Sequence, residues 1–392
     1  MQKSSRLIGK KSDLMGTFFN PVKINIGELK VLKRVIEEMP QKVTKVLLLT
    51  RGGNFNNSPE RAELRNCLQH YEMQQVDIEI SNPTVDDLFS LFNQTKELDF
   101  DCIVGIGGGS VLDLSKSLVA IKGMQIENHQ QLLTIIEKKY YKNNEQTIPW
   151  IGIPTTSGTG SELTCWATIW YEKLGIKLSI DNPSLYAYAA IFDHTLTTSL
   201  PVSITVSTTL DALCHATEAY WSNKSNDISR VYAKEAIKRI MQYLELLIQL
   251  PSNLEYRREI ALASMFAGLA FSNTRTTACH SISYPLTMEL GISHGVAASL
   301  TLAKVLAINY ESIPEKQQLL EAFGHRSFNE IQQWIENVQE RAGFATRLVQ
   351  YKGTHESINR IVENAFTKGR MDNNPVPLTE EDVKNILISI YE

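Results

Sequence analysis

Cys102-Ile-Val-Gly-Ile-Gly-Gly-Gly-Ser-Val-Leu-Asp-Leu-Ser-Lys116 is the stretch that decides the fold of this 392-residue chain. Phe100 to Ile106 reads as a buried strand, Gly107-Gly108-Gly109-Ser110 as the turn that ends it, and the residues beyond as a helix. Such a junction leaves unpaired backbone N–H groups at the positive end of the helix dipole, and without Cβ atoms the backbone can approach a pyrophosphate closely. A plain tight turn has the same composition, the spacing is not the standard G-x-G-x-x-G, and no acidic residue stands out as a ribose partner. Taken alone, the loop leaves both readings open.

The alternation repeats on either side. Leu29 to Met39 has helical periodicity, Lys45 to Thr50 (KVLLLT) is a buried-strand run, and Pro59 to Tyr71 is a helix capped by Ser58. Val76 to Ile80 follows as a short strand, and Asn82-Pro83-Thr84 turns into a helix from Val85 to Leu98. Downstream come a strand at Trp150-Ile151-Gly152-Ile153, a hairpin from Trp166 to Ile180 about Lys173-Leu174-Gly175, and a last strand from Tyr186 to Phe192. Strands alternating with helices predict an α/β, Rossmann-like dinucleotide-binding domain over residues 1–195. Beyond Leu200-Pro201 the pattern changes to long helices, among them Ile228 to Ile248, Arg257 to Phe271 and Asn329 to Ala342, which predicts an all-α domain over residues 196–392.

Composition narrows the function classes. Apolar residues make up 43% and charged residues 21%, and the formal charge of -4 lacks the basic excess that a phosphate backbone requires, so nucleic acid is not an expected partner. Met1 to Met15 has no apolar signal core and no run approaches the ~20 apolar residues of a membrane span, so the expectation is a cytoplasmic protein without a membrane partner. The five cysteines are odd in number and widely spaced, without a CxxC pair, which predicts reduced thiols.

A second loop, Pro154-Thr155-Thr156-Ser157-Gly158-Thr159-Gly160-Ser161-Glu162, also follows a strand and is dense in hydroxyls, so it is expected to line the other wall of a cofactor cleft. The candidate cofactor contacts are Gly107, Gly108, Gly109, Ser110 and Asp113 from the first loop and helix, Thr155, Thr156, Ser157, Thr159 and Ser161 from the second, and Lys177 in the hairpin. Asp211-Ala-Leu-Cys-His215 places a carboxylate and an imidazole at i and i+4, on one helical face, where they can share a metal ion. His280 and His294 lie fourteen residues apart further on, and with Asp211 and His215 they make a plausible N₃O set for Fe²⁺ or Zn²⁺. The other five histidines, His70, His129, His194, His325 and His355, sit in polar surroundings and read as surface.

Five motifs in order carry a family resemblance: Asn82-Pro83-Thr84, GGGSVLDLSK from Gly107, IPTTSGTGSE from Ile153, DALCHATEAYWS from Asp211, and His280 with the His294-Gly295 pair. Over essentially its whole length the chain resembles the iron-containing, group III alcohol dehydrogenases. That resemblance implies a dehydroquinate synthase-like fold, with metal and NADH or NADPH facing each other between an α/β half and a helical half. It also implies Asp211, His215, His280 and His294 as metal ligands acting in catalysis, and a homodimer or higher homo-oligomer is expected. The alternatives the resemblance leaves are a general short-chain alcohol dehydrogenase or aldehyde reductase acting on neutral substrates, and a dehydroquinate-synthase-like lyase or polyol-phosphate dehydrogenase, which share the architecture but use a different metal set.

Within the family, Ser272-Asn-Thr-Arg-Thr-Thr-Ala-Cys-His-Ser-Ile-Ser-Tyr-Pro-Leu-Thr287 looks most like the phosphonoacetaldehyde reductases, which make 2-hydroxyethylphosphonate. Arg275 is five residues before His280, where a guanidinium could fork onto a phosphonate while Thr276 and Thr277 donate hydrogen bonds, or could pair with a structural carboxylate. Two positions depart from the family. Tyr284 stands where many members carry a His, so the proton route is open and Tyr284 becomes its candidate; an ordinary phenol near 10 is a poor base at neutral pH. Thr50-Arg51-Gly52-Gly53 supplies a cation and no carboxylate where NAD-preferring relatives have Asp, which leaves NADP(H) tolerated.

Overall fold

Uninterrupted apolar runs are the signature of strands buried on both faces, and the three such runs in the first half become the centre of one parallel sheet. The computed structural model describes residues 16–52, 58–144, 148–171 and 176–392. Its first half runs β1 (Lys23–Ile26), α1 (Val31–Glu37), β2 (Lys45–Thr50), α2 (Pro59–Leu68), β3 (Glu72–Asp77) and α3 (Val85–Thr95). It continues through β4 (Cys102–Gly107), α4 (Gly109–Ile121), α5 (His129–Glu137), β5 (Trp150–Pro154), β6 (Trp166–Tyr171), β7 (Ile176–Asp181) and β8 (Ala189–Phe192). The sheet order is β1-β8-β5-β4-β2-β3, every pair parallel, with β6 and β7 as a separate antiparallel hairpin. The expected hairpin tip Lys173-Leu174-Gly175, together with Gly53 and Met1 to Met15, lies outside the described residues.

The edges differ from the sequence expectation. The strand expected over Val76 to Ile80 is Glu72–Asp77, because β3 takes its register from β2, pairing Glu72 with Lys45 and Asp77 with Thr50. The final strand begins at Ala189 and not Tyr186, since Pro183–Leu185 forms a 3-10 turn and pairing with β1 starts only at Ala189. β1, the opposite edge, is not visible in the sequence pattern; three of its four residues are exposed.

The chain leaves β2 to pair β3 on one side and returns as β4 on the other, so the order reverses between β2 and β4. In open α/β sheets, ligands lie outside the carboxyl ends of the strands at such a switch point. Gly108 at that end of β4 begins α4, which has no side-chain cap.

The second half is helical: α6 (Val202–Trp221), α7 (Asp227–Gln249), α8 (Leu254–Thr274), α9 (Ala278–Leu290), α10 (His294–Asn309), α11 (Lys316–Ala322), α12 (Phe328–Arg341), α13 (His355–Asn364) and α14 (Glu380–Ile388). α6 is buried all round from Thr209 to Trp221 and packs against α7, α8 and α10. A helix apolar on every side belongs at a core centre, and this one carries Asp211 and His215 into it.

Lys116 fastens the two cleft loops together. On α4 it is fully buried, its Nζ donating to Ser161 O (2.9 Å), Thr164 Oγ1 (3.0 Å) and Trp166 O, and pairing with Asp113 at 3.2 Å. Asp113 in turn accepts from Ser161 Oγ (2.6 Å) and Thr168 N (2.9 Å). Removing one partner of a buried ion pair strands the other, a loss of about 3 kcal/mol. Lys116→Met is therefore expected to lose about 3 kcal/mol in urea unfolding; a loss below about 1 kcal/mol would show that the loops hold without the amine.

Candidate metal and dinucleotide site

Asp211, His215 and Glu218 stand at i, i+4 and i+7 on α6 and so share one face. All three are buried. His280 from α9 reaches that face with Nε2 3.3 Å from Asp211 Oδ1, while its Nδ1 hydrogen-bonds Glu218 Oε2. His294, the first residue of α10, has Nε2 3.8 Å from Asp211 Oδ1, and His215 has Nδ1 3.9 Å from Asp211 Oδ2. One ligand atom from each of Asp211, His215 and His280 fits within a 4.8 Å span. His215 is clamped between Phe271 (4.0 Å between ring centroids, 6°) and His280 (4.4 Å, 15°). Of the remaining histidines, His70, His129, His325 and His355 are exposed and His194 is half-buried.

The electrostatics fit a cation. Burial pushes Asp211 and Glu218 up, but the facing histidines outweigh it and hold both below the ordinary carboxylate range. Burial brings His215 down to about 4 and His294 to about 3, so both imidazoles are neutral with a lone pair to offer. His280 moves the other way, to about 10, because Glu218 and Asp211 overcome its desolvation. One carboxylate and three imidazoles suit Fe²⁺ or Zn²⁺, and Glu218 stands behind His280 as the carboxylate that fixes its tautomer.

Local backbone features explain how these side chains arrive. The His294-Gly295 pair has a packing cause: a Cβ on Gly295 would lie 2.0 Å from Ser207 O, so only glycine lets α10 cross α6 beside Asp211. Arg275 ends α8 at φ 65°, a left-handed turn rare outside glycine, and so redirects the chain into α9 and His280. Two contacts hold that turn: Arg275 Nη2 to Asp181 Oδ2 at 2.6 Å, and the guanidinium 3.9 Å above the Trp166 ring.

A cleft of about 600 Å³ joins this cluster to the glycine loops. Gly108, Gly109, Ser110, Asp113, Thr156, Thr159 and Ser161 line it, and so does Lys177. A Cβ on Gly109 would meet Thr159 Cγ2 at 2.7 Å, so the two loops close on each other only at glycine. Gly107, Thr155 and Ser157 do not line it. Gly107 is the last residue of β4, Thr155 is buried behind the loop, and Ser157 faces a separate small cavity. Lys177 Nζ lies 3.9 Å over the Tyr284 ring.

The expected substrate residues separate. Arg275 lines the cleft with its guanidinium already engaged by Asp181. Thr276 also lines it, and its buried hydroxyl has no partner. Thr277 turns away; its hydroxyl donates to Glu218 Oε1 (2.8 Å) and accepts from Trp221 Nε1 (2.8 Å). Tyr284 stacks on His294 (5.7 Å, 12°). Burial raises its phenol, but Lys177, Arg370 and His280 together bring it down to about 7.

Several residues escaped the sequence reading. Glu218 was legible in principle, at i+7 from Asp211 within DALCHATEAYWS. Asp181, Arg370, Trp166, Trp170 and Phe271 carry no local signal, being brought in by tertiary structure. The strand end after Thr50 does have carboxylates beside it, from the end of β3 and the residues that follow: Thr50 Oγ1 donates to Asp77 Oδ1 at 2.7 Å, and the Glu79 side chain packs on Gly52. Arg51, the expected cation there, points to Ser199 (3.5 Å).

Comparison with known proteins identifies the family. Residues 21–194 match the family described as iron-containing alcohol dehydrogenase, and residues 205–391 match the C-terminal part of the Fe-containing alcohol dehydrogenase family. A long-chain primary alcohol dehydrogenase of Thermoanaerobacter ethanolicus is 29% identical over 95% of both chains. A phosphonoacetaldehyde reductase of Streptomyces viridochromogenes is 29% identical over 66% of each. The crystal structure of a sulfoacetaldehyde reductase from Bifidobacterium kashiwanohense in complex with NAD+ superposes with a TM-score of 0.83 at 29% identity, covering 96% of this chain and 98% of that one. The chain belongs to the iron-containing alcohol dehydrogenase family, oxidoreductases that act on alcohols and aldehydes with a nicotinamide dinucleotide and a divalent metal.

Proposed function

We propose that this protein reduces a small anionic aldehyde with a nicotinamide cofactor and one divalent metal, phosphonoacetaldehyde to 2-hydroxyethylphosphonate being the reaction its sequence points to. The observation that carries the reading is the convergence of Asp211, His215, His280 and His294 at one end of a cleft whose other wall is two glycine loops. When bound, the metal supplies Lewis acidity at the carbonyl and the dinucleotide supplies hydride. The phosphonoacetaldehyde and sulfoacetaldehyde reductases among its relatives both act on a two-carbon aldehyde with an anionic tail.

The chain's own residues set the conditions. Glu218 holds His280 in one orientation through Nδ1. The uncapped N-terminus of α4 and the hydroxyls of Thr156, Thr159 and Ser161 offer donors to dinucleotide phosphates. Trp166, Trp170 and Phe271 keep the cleft wall apolar and exclude water. Aldehyde reduction consumes one hydride and one proton, and Tyr284, wedged between Lys177 and His294, is placed to hold that proton. Asp77 and Glu79 beside the end of β2 would repel a 2′-phosphate, which favours NADH over NADPH.

Three measurements test this reading. Metal-loaded protein is expected to oxidise NADH in the presence of phosphonoacetaldehyde with a higher kcat/KM than with propanal, and to lose activity to a chelator; no aldehyde-dependent oxidation would overturn the proposal. Glu218→Gln is expected to weaken Zn²⁺ or Fe²⁺ binding by about 10- to 100-fold in a competition titration, whereas an unchanged affinity would remove Glu218 from the metal site. Replacing NADH by NADPH is expected to raise the cofactor KM by about tenfold, with Asp77→Ser narrowing the gap; equal KM values would show that the strand-end carboxylates do not read the ribose.

A further inference from the structure

The cleft contains a second arginine, in a segment far from the motifs that identify the family. Arg370 lies between α13 and α14, just before a 3-10 turn at Met371–Asn373, and its side chain lines the cleft beside Tyr284 and His294. Its backbone is fixed on both sides. Upstream, Thr367 N donates to Ser281 Oγ (3.0 Å); downstream, Asn373 Nδ2 donates to Thr274 O (2.8 Å) and Thr276 O (3.0 Å). The turn that carries Arg370 is thus tied to the loop that carries Thr276.

The two cleft arginines are in opposite states. Arg275 is neutralised by Asp181 and laid on Trp166, and it shapes the α8–α9 turn. Among the described residues no carboxylate pairs with Arg370; its Nη1 donates to its neighbour's carbonyl, Gly369 O, at 3.2 Å, and its charge helps hold the Tyr284 phenol below its ordinary value. An arginine fork has five N–H donors, so donors remain. Two hydroxyls in the same cleft are also unspent: among the described residues Thr276 Oγ1 and Thr287 Oγ1 are buried without a hydrogen-bond partner, and Thr276 is only 4% exposed. Buried polar atoms without partners are costly in a folded protein, and in a ligand cleft they mark where ligand oxygens go. Lys177, over the Tyr284 ring, adds positive potential to the same wall.

We propose that Arg370, with the hydroxyls of Thr276 and Thr287, forms the subsite for the anionic tail of the substrate, and that Arg275 is a structural tie. This rests on the reading of the substrate as an anionic aldehyde. A phosphonate or sulfonate presents three oxygens at tetrahedral angles, enough for the fork and both hydroxyls at once. A methyl group in that place leaves a guanidinium and two hydroxyls unpaired, the arrangement by which polar sites reject apolar analogues most strongly. Arg370 is thus a specificity-determining residue.

The test compares phosphonoacetaldehyde with propanal on metal-loaded wild type, Arg370→Ala, Arg370→Lys, Thr287→Val and Arg275→Ala, and measures 2-hydroxyethylphosphonate binding by calorimetry. The expected result for Arg370→Ala is an about 100-fold fall in the phosphonoacetaldehyde-to-propanal ratio of kcat/KM, carried by KM, with a parallel loss of 2-hydroxyethylphosphonate affinity. Arg370→Lys recovers part of it, Thr287→Val lowers the ratio about tenfold, and Arg275→Ala lowers both substrates alike. If wild type prefers phosphonoacetaldehyde but Arg370→Ala moves the ratio less than tenfold, the assignment of Arg370 is overturned and the anionic-aldehyde reading stands. If wild type does not prefer phosphonoacetaldehyde, that reading falls and this inference with it. Thr287→Val decides the matter if Arg370→Ala does not fold: an unchanged ratio overturns the subsite.

Discussion

A carboxylate buried at the centre of a helical core is the constraint on which the rest of this structure depends. Asp211 sits on the most enclosed stretch of α6, and a second carboxylate, Glu218, lies two turns further along the same face. Neither can remain ionised there without positive charge or strong donors around it. Those partners come from other elements: His280 on α9, His294 on α10, and backbone N–H groups of Cys279 and His280 that donate to Glu218 Oε1. The packing of α9 and α10 against α6 is thus inseparable from the neutralisation of Asp211. Gly295 has no side chain because α10 must pass Ser207 and Asp211 at backbone distance.

The same helix reaches the sheet. Gly158 in the second loop packs on Thr208 of α6, and Gly158 O lies 3.4 Å from His215 Nδ1, so the loop that follows β5 touches the Asp211–His215 cluster directly. Lys116 holds that loop from behind, and Asp113 holds it to α4. The N-terminus of α4 and the Asp211–His215 face of α6 are in this way joined through one polar network that runs by the second loop.

How much of this the sequence carries depends on whether a feature is local. KVLLLT and CIVGIG are central strands, short apolar runs of strand length that suit a doubly buried strand, and their expected bounds lie close to those observed. Edge strands are half-solvated, so EMQQVD and KINI lack that pattern; the apolar Val76-Asp-Ile-Glu-Ile80 stretch drew the reading past the end of β3. The four candidate metal ligands, which the fold brings together, stand out in the sequence because a helical face and rare histidines mark them. Glu218 lies inside DALCHATEAYWS, but its place behind His280 depends on how α9 packs on α6, which no local pattern shows. The strand-end carboxylates were missed for a topological reason: Asp77 is far from Thr50 in sequence and becomes its neighbour only through β2–β3 pairing.

The two arginines show the same limit at the level of specificity. Arg275 stands five residues from His280, and sequence proximity made it the natural anion receptor. Yet proximity to a ligand also means sharing the turn that positions it, and a residue at φ 65° between two buried helices is already held by what surrounds it. Its charge is consumed by Asp181, a partner ninety-four positions away. Arg370 lies ninety positions after His280, in a stretch with no motif to recommend it, and its charge is not consumed by any described carboxylate. Chemistry common to a family is written in local motifs, because the same backbone must place the same ligands. Substrate choice needs only a charge of the right sign in the right wall, which any loop that reaches the cleft can deliver.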